Sequence, residues 1–234
     1  CGSCIRACTH AARLPIDDTQ PFLAATQSGT PIVAIVAPAV AANFPQQHKR
    51  LNGWLKSVGV RAIFDVSFGA ELTVMTYLEN MRTEKPACVI SQPCPAIVTY
   101  CQIYQPELLP HLAPADSPML HTARMIRQYY PQHNNCRIAV ISPCLAKRRE
   151  FDETGVCDYN VTMAALWKHF EVNNINLNRY PEADFDNPPA ERAVLFSTPG
   201  GLLRTVEREV PGAATITRKI EGPNIIYLYL RLLP

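Results

Sequence analysis

No stretch of this chain is apolar for long enough to cross a bilayer. The longest run, residues 31–42 (PIVAIVAPAVAA), falls short of the roughly 20 residues a membrane helix needs and is broken by Pro38. Charge of one sign is equally scarce. Lys plus Arg number 22 against 20 Asp plus Glu, a formal net charge of +2, and no dense Lys/Arg patch occurs. A polyanionic partner, nucleic acid above all, is therefore not expected. No low-complexity segment and no signal peptide are read, so the expectation is a soluble, cytoplasmic protein without a membrane span.

A closed disulfide framework is also missing from the pattern. The nine cysteines, at positions 1, 4, 8, 88, 94, 101, 136, 144 and 157, are odd in number and crowd the start of the chain. That argues for metal ligation in a reducing compartment over disulfide staples. At 234 residues the chain suits one large α/β domain or two small ones.

What is present is an alternation of strand-like and helix-like segments. Residues 31–37 form a continuous apolar run suited to a strand buried on both faces of a parallel sheet. Further strands are expected at 60–65, 87–91, 137–141 and 193–197. Helices are expected at 43–58, at 69–81 with Leu72, Met75, Leu78 and Met81 on one face, from near Cys94, at 117–130, 162–170, 200–210 and 224–233. The helix at 117–130 opens with a Ser cap and Pro118. Residues 14–27 read as a polar link and 181–189 (PEADFDNPP) as an exposed loop. The alternation predicts parallel sheets covered by helices.

A short phrase occurs twice: VISQPCP at 89–95 and VISPC at 140–144. Each reads as a strand stopped by proline with a cysteine just beyond, where a helix begins. In parallel α/β folds, functional groups gather at that edge. A thiol at a helix N-terminus is biased toward the thiolate that binds metal. Cys94 and Cys144 thus become candidate ligands of one centre, against the alternative of two buried, inert thiols. Cys88, Cys101, Cys136 and Cys157 lack such a context and read as structural. The opening Cys1-x2-Cys4-x3-Cys8 is the tail of a ferredoxin-type run that wraps thiolates around a 4Fe-4S cube, with a zinc knuckle using His10 as the alternative.

With these residues assembled, the chain resembles the iron-only ([FeFe]) hydrogenase family. SQPCP (91–95) is similar to that family's first cysteine motif, Thr-Ser-Cys-Cys-Pro, and SPCLAKRRE (142–150) to its second, Met-Pro-Cys-x-x-Lys-x-x-Glu. The resemblance implies two facing lobes with the cluster site between them, residues 28–234 as a truncated H-cluster domain and 1–27 as the end of a ferredoxin-like segment. It implies Cys94 and Cys144 as ligands of the cubane half of an H-cluster, Cys1, Cys4 and Cys8 as ligands of a 4Fe-4S centre, and Lys147 as donor to a cyanide of the di-iron half. Ala37, Pro38 and Ala39 match the strand-end segment that lines the di-iron pocket.

The departures from the family are specific. No cysteine follows Cys157, so the third motif is absent and a fragment cut at both ends is expected. Pro93 stands where catalytic members carry a proton-relay thiol, and Tyr77 and Asn80 where they carry relay glutamates. Met119 replaces a residue that is polar in many catalytic members. These features resemble the family's low-activity sensory branch. The readings that follow are an oxidoreductase acting on H2 and protons with a ferredoxin-type redox partner, a hydrogen sensor coupled to a downstream signalling domain, and an iron–sulfur assembly or scaffold protein.

Overall fold

The computed structural model describes residues 5, 7–10, 12–91, 94–191, 193–220 and 222–233, the side chains of Pro223 and Asn224 excepted. At its centre lies a four-stranded parallel sheet in the order β2-β1-β3-β4, with β1 Ile32–Val36, β2 Val60–Asp65, β3 Arg137–Ser142 and β4 Tyr159–Thr162. All five residues of β1 are buried, as its uninterrupted apolar run requires of a strand covered on both faces. The register sets Val36 beside Asp65 on one side and Ile141 on the other, and Ser142 beside Thr162. The carboxyl ends of all four strands therefore line one edge.

Helices cover the sheet, giving the expected α/β class with one sheet among the described residues. In chain order they are α1 Thr19–Gln27, α2 Val40–Asn43, α3 His48–Ser57, α4 Val66–Glu84, α5 Pro95–Tyr104, α6 Pro118–Tyr129, α7 Lys147–Thr154, α8 Met163–Val172, α9 Gly201–Glu209, α10 Ala213–Ile216 and α11 Pro223–Leu230. Phe22, Trp54, Phe64, Ile126 and Phe170 are almost wholly enclosed in the main core. Each such side chain contributes about 1.5–3 kcal/mol on burial. A second, smaller core joins Cys101, Leu108 and Leu230, and so packs α5 against α11.

Where α4 crosses α6 the backbones nearly touch. A Cβ on Gly69 would lie 2.2 Å from both the Pro118 carbonyl oxygen and the Thr122 hydroxyl, so only glycine fits there. This crossing also rotates α4 away from the expected face. Ala70, Thr73, Val74 and Tyr77 point inward with Leu78, while Met75 and Met81 are exposed. Next to the close approach the inward positions are taken by the small residues Ala70 and Thr73, and the larger Tyr77 and Leu78 follow further along the helix.

Other expectations are corrected by packing. Residues 87–91 make a single bridge, Ile90 with Leu112, in place of a strand. Residues 193–195 form a 3-10 turn in place of one. The supposed link at 14–27 ends in α1, whose Phe22 and Leu23 join the main core. Strand β4 was not foreseen, because its YNVT segment is short and carries a buried Asn160.

Both edges of the sheet are closed by distant segments. Along β2, Asp186 N–H donates to the Ile63 carbonyl at 2.7 Å, its carboxylate accepts from Ile63 N–H at 2.8 Å, and Asn187 Oδ1 accepts from Asp65 N–H at 2.7 Å. The expected exposed loop at 181–189 is thus an edge cover, with Asn187 buried within it. Along β4, Asp18 exchanges hydrogen bonds with Asn160, and Asp17 accepts from Thr162 N–H at 2.7 Å. Edge groups satisfied in this way are withdrawn from pairing with another strand.

Candidate metal centre

The carboxyl edge of the sheet brings together residues 37–39 and the second cysteine motif. Ala37 N–H donates to the Ile141 carbonyl at 2.9 Å, which carries the β1–β3 ladder past the end of β1. Pro38 and Ala39 then turn the chain into α2, with Val40 N–H donating back to the Ala37 carbonyl at 2.9 Å. Ala37 is buried, and Pro38 and Ala39 are half-buried. Beside them β3 ends at buried Ser142, whose hydroxyl accepts from Cys144 N–H at 3.2 Å. Asn160 Nδ2 reaches from β4 to the carbonyls of Cys144 and Leu145, each at 3.3 Å. The turn that carries half-buried Cys144 is thereby pinned from β3 and from β4.

Cys144 does not itself open a helix. Residues 145–146 form a turn and α7 starts at Lys147. Cys94 does occupy the expected place: it is the N-cap of α5, with Pro95 in the first turn and Ile97 N–H donating to its carbonyl at 3.0 Å. A residue there sits at the positive end of the helix dipole. Arg149 of α7 donates to Thr99 Oγ1 and, at 2.7 Å, to Gln102 Oε1 of α5, so the helices after the two cysteines are tied together.

Lys147 is buried, and its ammonium donates to Glu150 Oε2 at 2.8 Å; the side chains are 7% and 15% exposed. The Cys-x-x-Lys-x-x-Glu spacing thus builds a buried ion pair one helical turn beyond the thiol. A charge enclosed like this is held only with such a partner. The neighbouring Cys157 thiol is pushed up to about 12, first by burial and then by the Glu150 charge. Such a thiol stays protonated near neutral pH. Burial also pushes the Cys101 thiol up, with the Glu107 charge adding to it.

Cys8 behaves differently. The backbone amides of His10 and Ala12 draw its pKa below the ordinary thiol value of 9.0. Cys1, Cys4 and Pro93 lie outside the described residues. Of the residues that the resemblance sets at relay positions, Tyr77 is buried in the α4 face and Asn80 is half-buried, while the adjacent Glu79 is exposed and pairs with Arg82 at 3.1 Å.

Soft thiol donors at a strand end and a helix start suit an iron–sulfur cluster in kind. Among the described residues, no group of three or more His, Cys, Asp or Glu side chains is placed to hold a metal ion. A cubane requires four ligands. Sequence reading missed Asn160, Asp18 and Arg149 as parts of this region, since each acts through a partner far away in the chain.

Comparison with known proteins fits this geometry. Residues 30–227 match the family model described as "Iron only hydrogenase large subunit, C-terminal domain". Iron hydrogenase 1 of Clostridium pasteurianum is 25% identical over 196 residues, covering 76% of this chain and 34% of that protein. Cytosolic iron-sulfur assembly component 3 of Bos taurus is 20% identical over 162 residues, covering 59% and 34%. Among solved structures, an [FeFe]-hydrogenase described by its stepwise H-cluster assembly superposes with a TM-score of 0.67 at 25% identity, over 82% of this chain and 57% of that one. The chain spans about a third of the length of these two curated relatives.

Proposed function

The chain belongs to the iron-only hydrogenase family, in the C-terminal domain of its large subunit, and from that premise we propose that it is an H-cluster domain with slow hydrogen turnover. In this reading residues 28–234 are the H-cluster domain, and residues 1–27 end a 4Fe-4S segment held by Cys1, Cys4 and Cys8. Cys94 and Cys144 each hold one corner of the cubane. The observation that carries the proposal is the side-by-side placement of Ala37–Ala39 and Ser142–Cys144 at the sheet edge, with the buried Lys147–Glu150 pair one turn further on. When bound, such a cluster supplies the redox-active metal that polarises dihydrogen toward heterolytic cleavage.

The protein's own part follows from the residues. Lys147 offers an enclosed ammonium, suited to donate to an anionic ligand in a site from which water is largely excluded. Glu150 holds that charge in place. Ala37 and Pro38 present a small apolar wall beside the Cys144 turn. Pro93, Tyr77 and Asn80 stand where family members carry proton-relay groups, and proline has no proton to give. General acid–base steps contribute about 10²–10⁴-fold each, so loss of the relay predicts slow turnover. Electrons would pass to a ferredoxin-type redox partner or, in a sensor, the state of the site to a downstream signalling domain, in the cytoplasm.

A second reading is iron–sulfur assembly. It is favoured by the same altered relay positions and by the relative whose name describes cytosolic iron–sulfur assembly. In both readings Cys94 and Cys144 hold iron. Electron paramagnetic resonance of the reduced full-length protein tests this: Cys94→Ser or Cys144→Ser should each remove or reshape one 4Fe-4S signal and leave that of the Cys8 segment. Spectra unchanged in both variants overturn the ligand assignment.

A further inference from the structure

Three consecutive basic residues, Lys147, Arg148 and Arg149, open α7, and successive side chains on a helix point about 100° apart. Each is taken by a different part of the molecule. Lys147 turns inward to Glu150. Arg148 sends Nε to Asp152 at 2.9 Å and its terminal nitrogen to both carboxylate oxygens of Asp18, at 2.6 and 2.5 Å, on the segment that follows Cys8. Arg149 sends Nε to Glu153 at 2.7 Å and its two terminal nitrogens to Thr99 and Gln102 on the helix that follows Cys94.

The two arginines repeat one design. An acid four residues on pins the Nε edge of each guanidinium, so the terminal nitrogens are aimed outward at a fixed angle. At the far end of Arg149 the contact is relayed further. Thr99 Oγ1 accepts from Arg149 and itself donates to the Pro95 carbonyl at 2.8 Å, next to Cys94. At the near end, α7 follows the turn that Ser142 and Asn160 hold around Cys144. An unbroken run of contacts therefore leads from one cysteine turn, through Arg149 and Thr99, to the base of the other.

We propose that Arg149 is a positioning residue that sets the separation of Cys94 and Cys144 before any cluster is bound. It rests on the reading above that the two thiols serve one centre. A planar guanidinium pinned on one edge and forked across two acceptors on the other resists both sliding and rotation of α5 against α7. A lysine would reach one acceptor and leave the rotation free.

The test needs no cluster. The metal-free full-length protein is treated with bifunctional thiol reagents of graded spacer length, and the Cys94–Cys144 cross-linked peptide is quantified by mass spectrometry. Wild type is expected to favour one short spacer. Arg149→Ala should lower that yield about fivefold and broaden the preference toward longer spacers, with Arg149→Lys in between. Thr99→Val, which leaves α7 intact, should move the yield in the same direction. Buried Cys157 must stay unlabelled throughout, which certifies folding. Wild-type yield and spacer preference in Arg149→Ala, or in Thr99→Val should the first variant fail to fold, overturns the positioning role. Wild type that cross-links at no spacer length instead overturns the shared centre, and the proposal with it.

Discussion

Asp18 ties the start of the chain to the sheet, and replacing it exposes how strongly. Its carboxylate, 13% exposed, accepts from Asn160 N–H at 2.8 Å and from Arg148 at 2.6 and 2.5 Å. Asp18→Ala leaves the buried Asn160 amide without an acceptor, a loss of about 1–3 kcal/mol. The Arg148 ion pair adds at most about 1 kcal/mol, because Arg148 is 34% exposed and solvent screens it. Together these give about 1–4 kcal/mol, or roughly 2–16 °C in melting temperature for a chain of this size. Asp18→Asn keeps an acceptor for Asn160 and loses only the charge, so its cost should stay below about 1 kcal/mol. Thermal melts of both variants, with hydrogen exchange at the Asn160 amide, check this. The reasoning is refuted if alanine and asparagine behave alike, both within about 0.5 kcal/mol of wild type.

Two other outcomes follow from titrating groups. Burial holds the Asp65 carboxyl above its ordinary value of 3.8, so between 3.8 and its raised folded value the folded chain binds more protons than the unfolded chain. Stability must then fall as pH rises through that window. Asp65→Asn keeps an N-cap for Ser67 N–H and removes the penalty, so the variant should gain on wild type as pH rises through that window, with no loss at pH 7; a loss above about 1 kcal/mol would contradict it. For the thiols, iodoacetamide at pH 8 should label exposed Cys88 and spare Cys157, whose pKa is about 12; rapid labelling of Cys157 in the native protein would contradict its burial.

Local pattern made much of this molecule legible. The strands expected at 31–37, 60–65 and 137–141 became β1, β2 and β3, and the Ser117 cap with Pro118 opened α6 where expected. Of the doubled phrase, the second half is a strand end followed by Cys144, and the first is a helix start at Cys94 without a strand. What escaped was built from contacts with no local signature. The covers of β2 and β4 come from side chains 120 to 145 residues away, so the residues at 17–18 and 183–187 looked like link and loop. The run Lys147-Arg148-Arg149 gave no local sign of its partners, because sequence does not show that α7 lies between three other segments. The face of α4 was misjudged for a related reason: periodicity ranks apolar side chains, whereas the close approach at Gly69 selects small ones.

The central claim, that this edge of the sheet holds an H-cluster, is tested most directly by infrared spectroscopy of the full-length protein matured with the di-iron precursor. The H-cluster reading predicts CO and CN stretching bands that shift when Lys147 is replaced by Ala. A matured protein that carries iron–sulfur clusters and shows no such bands contradicts it and leaves iron–sulfur assembly as the function.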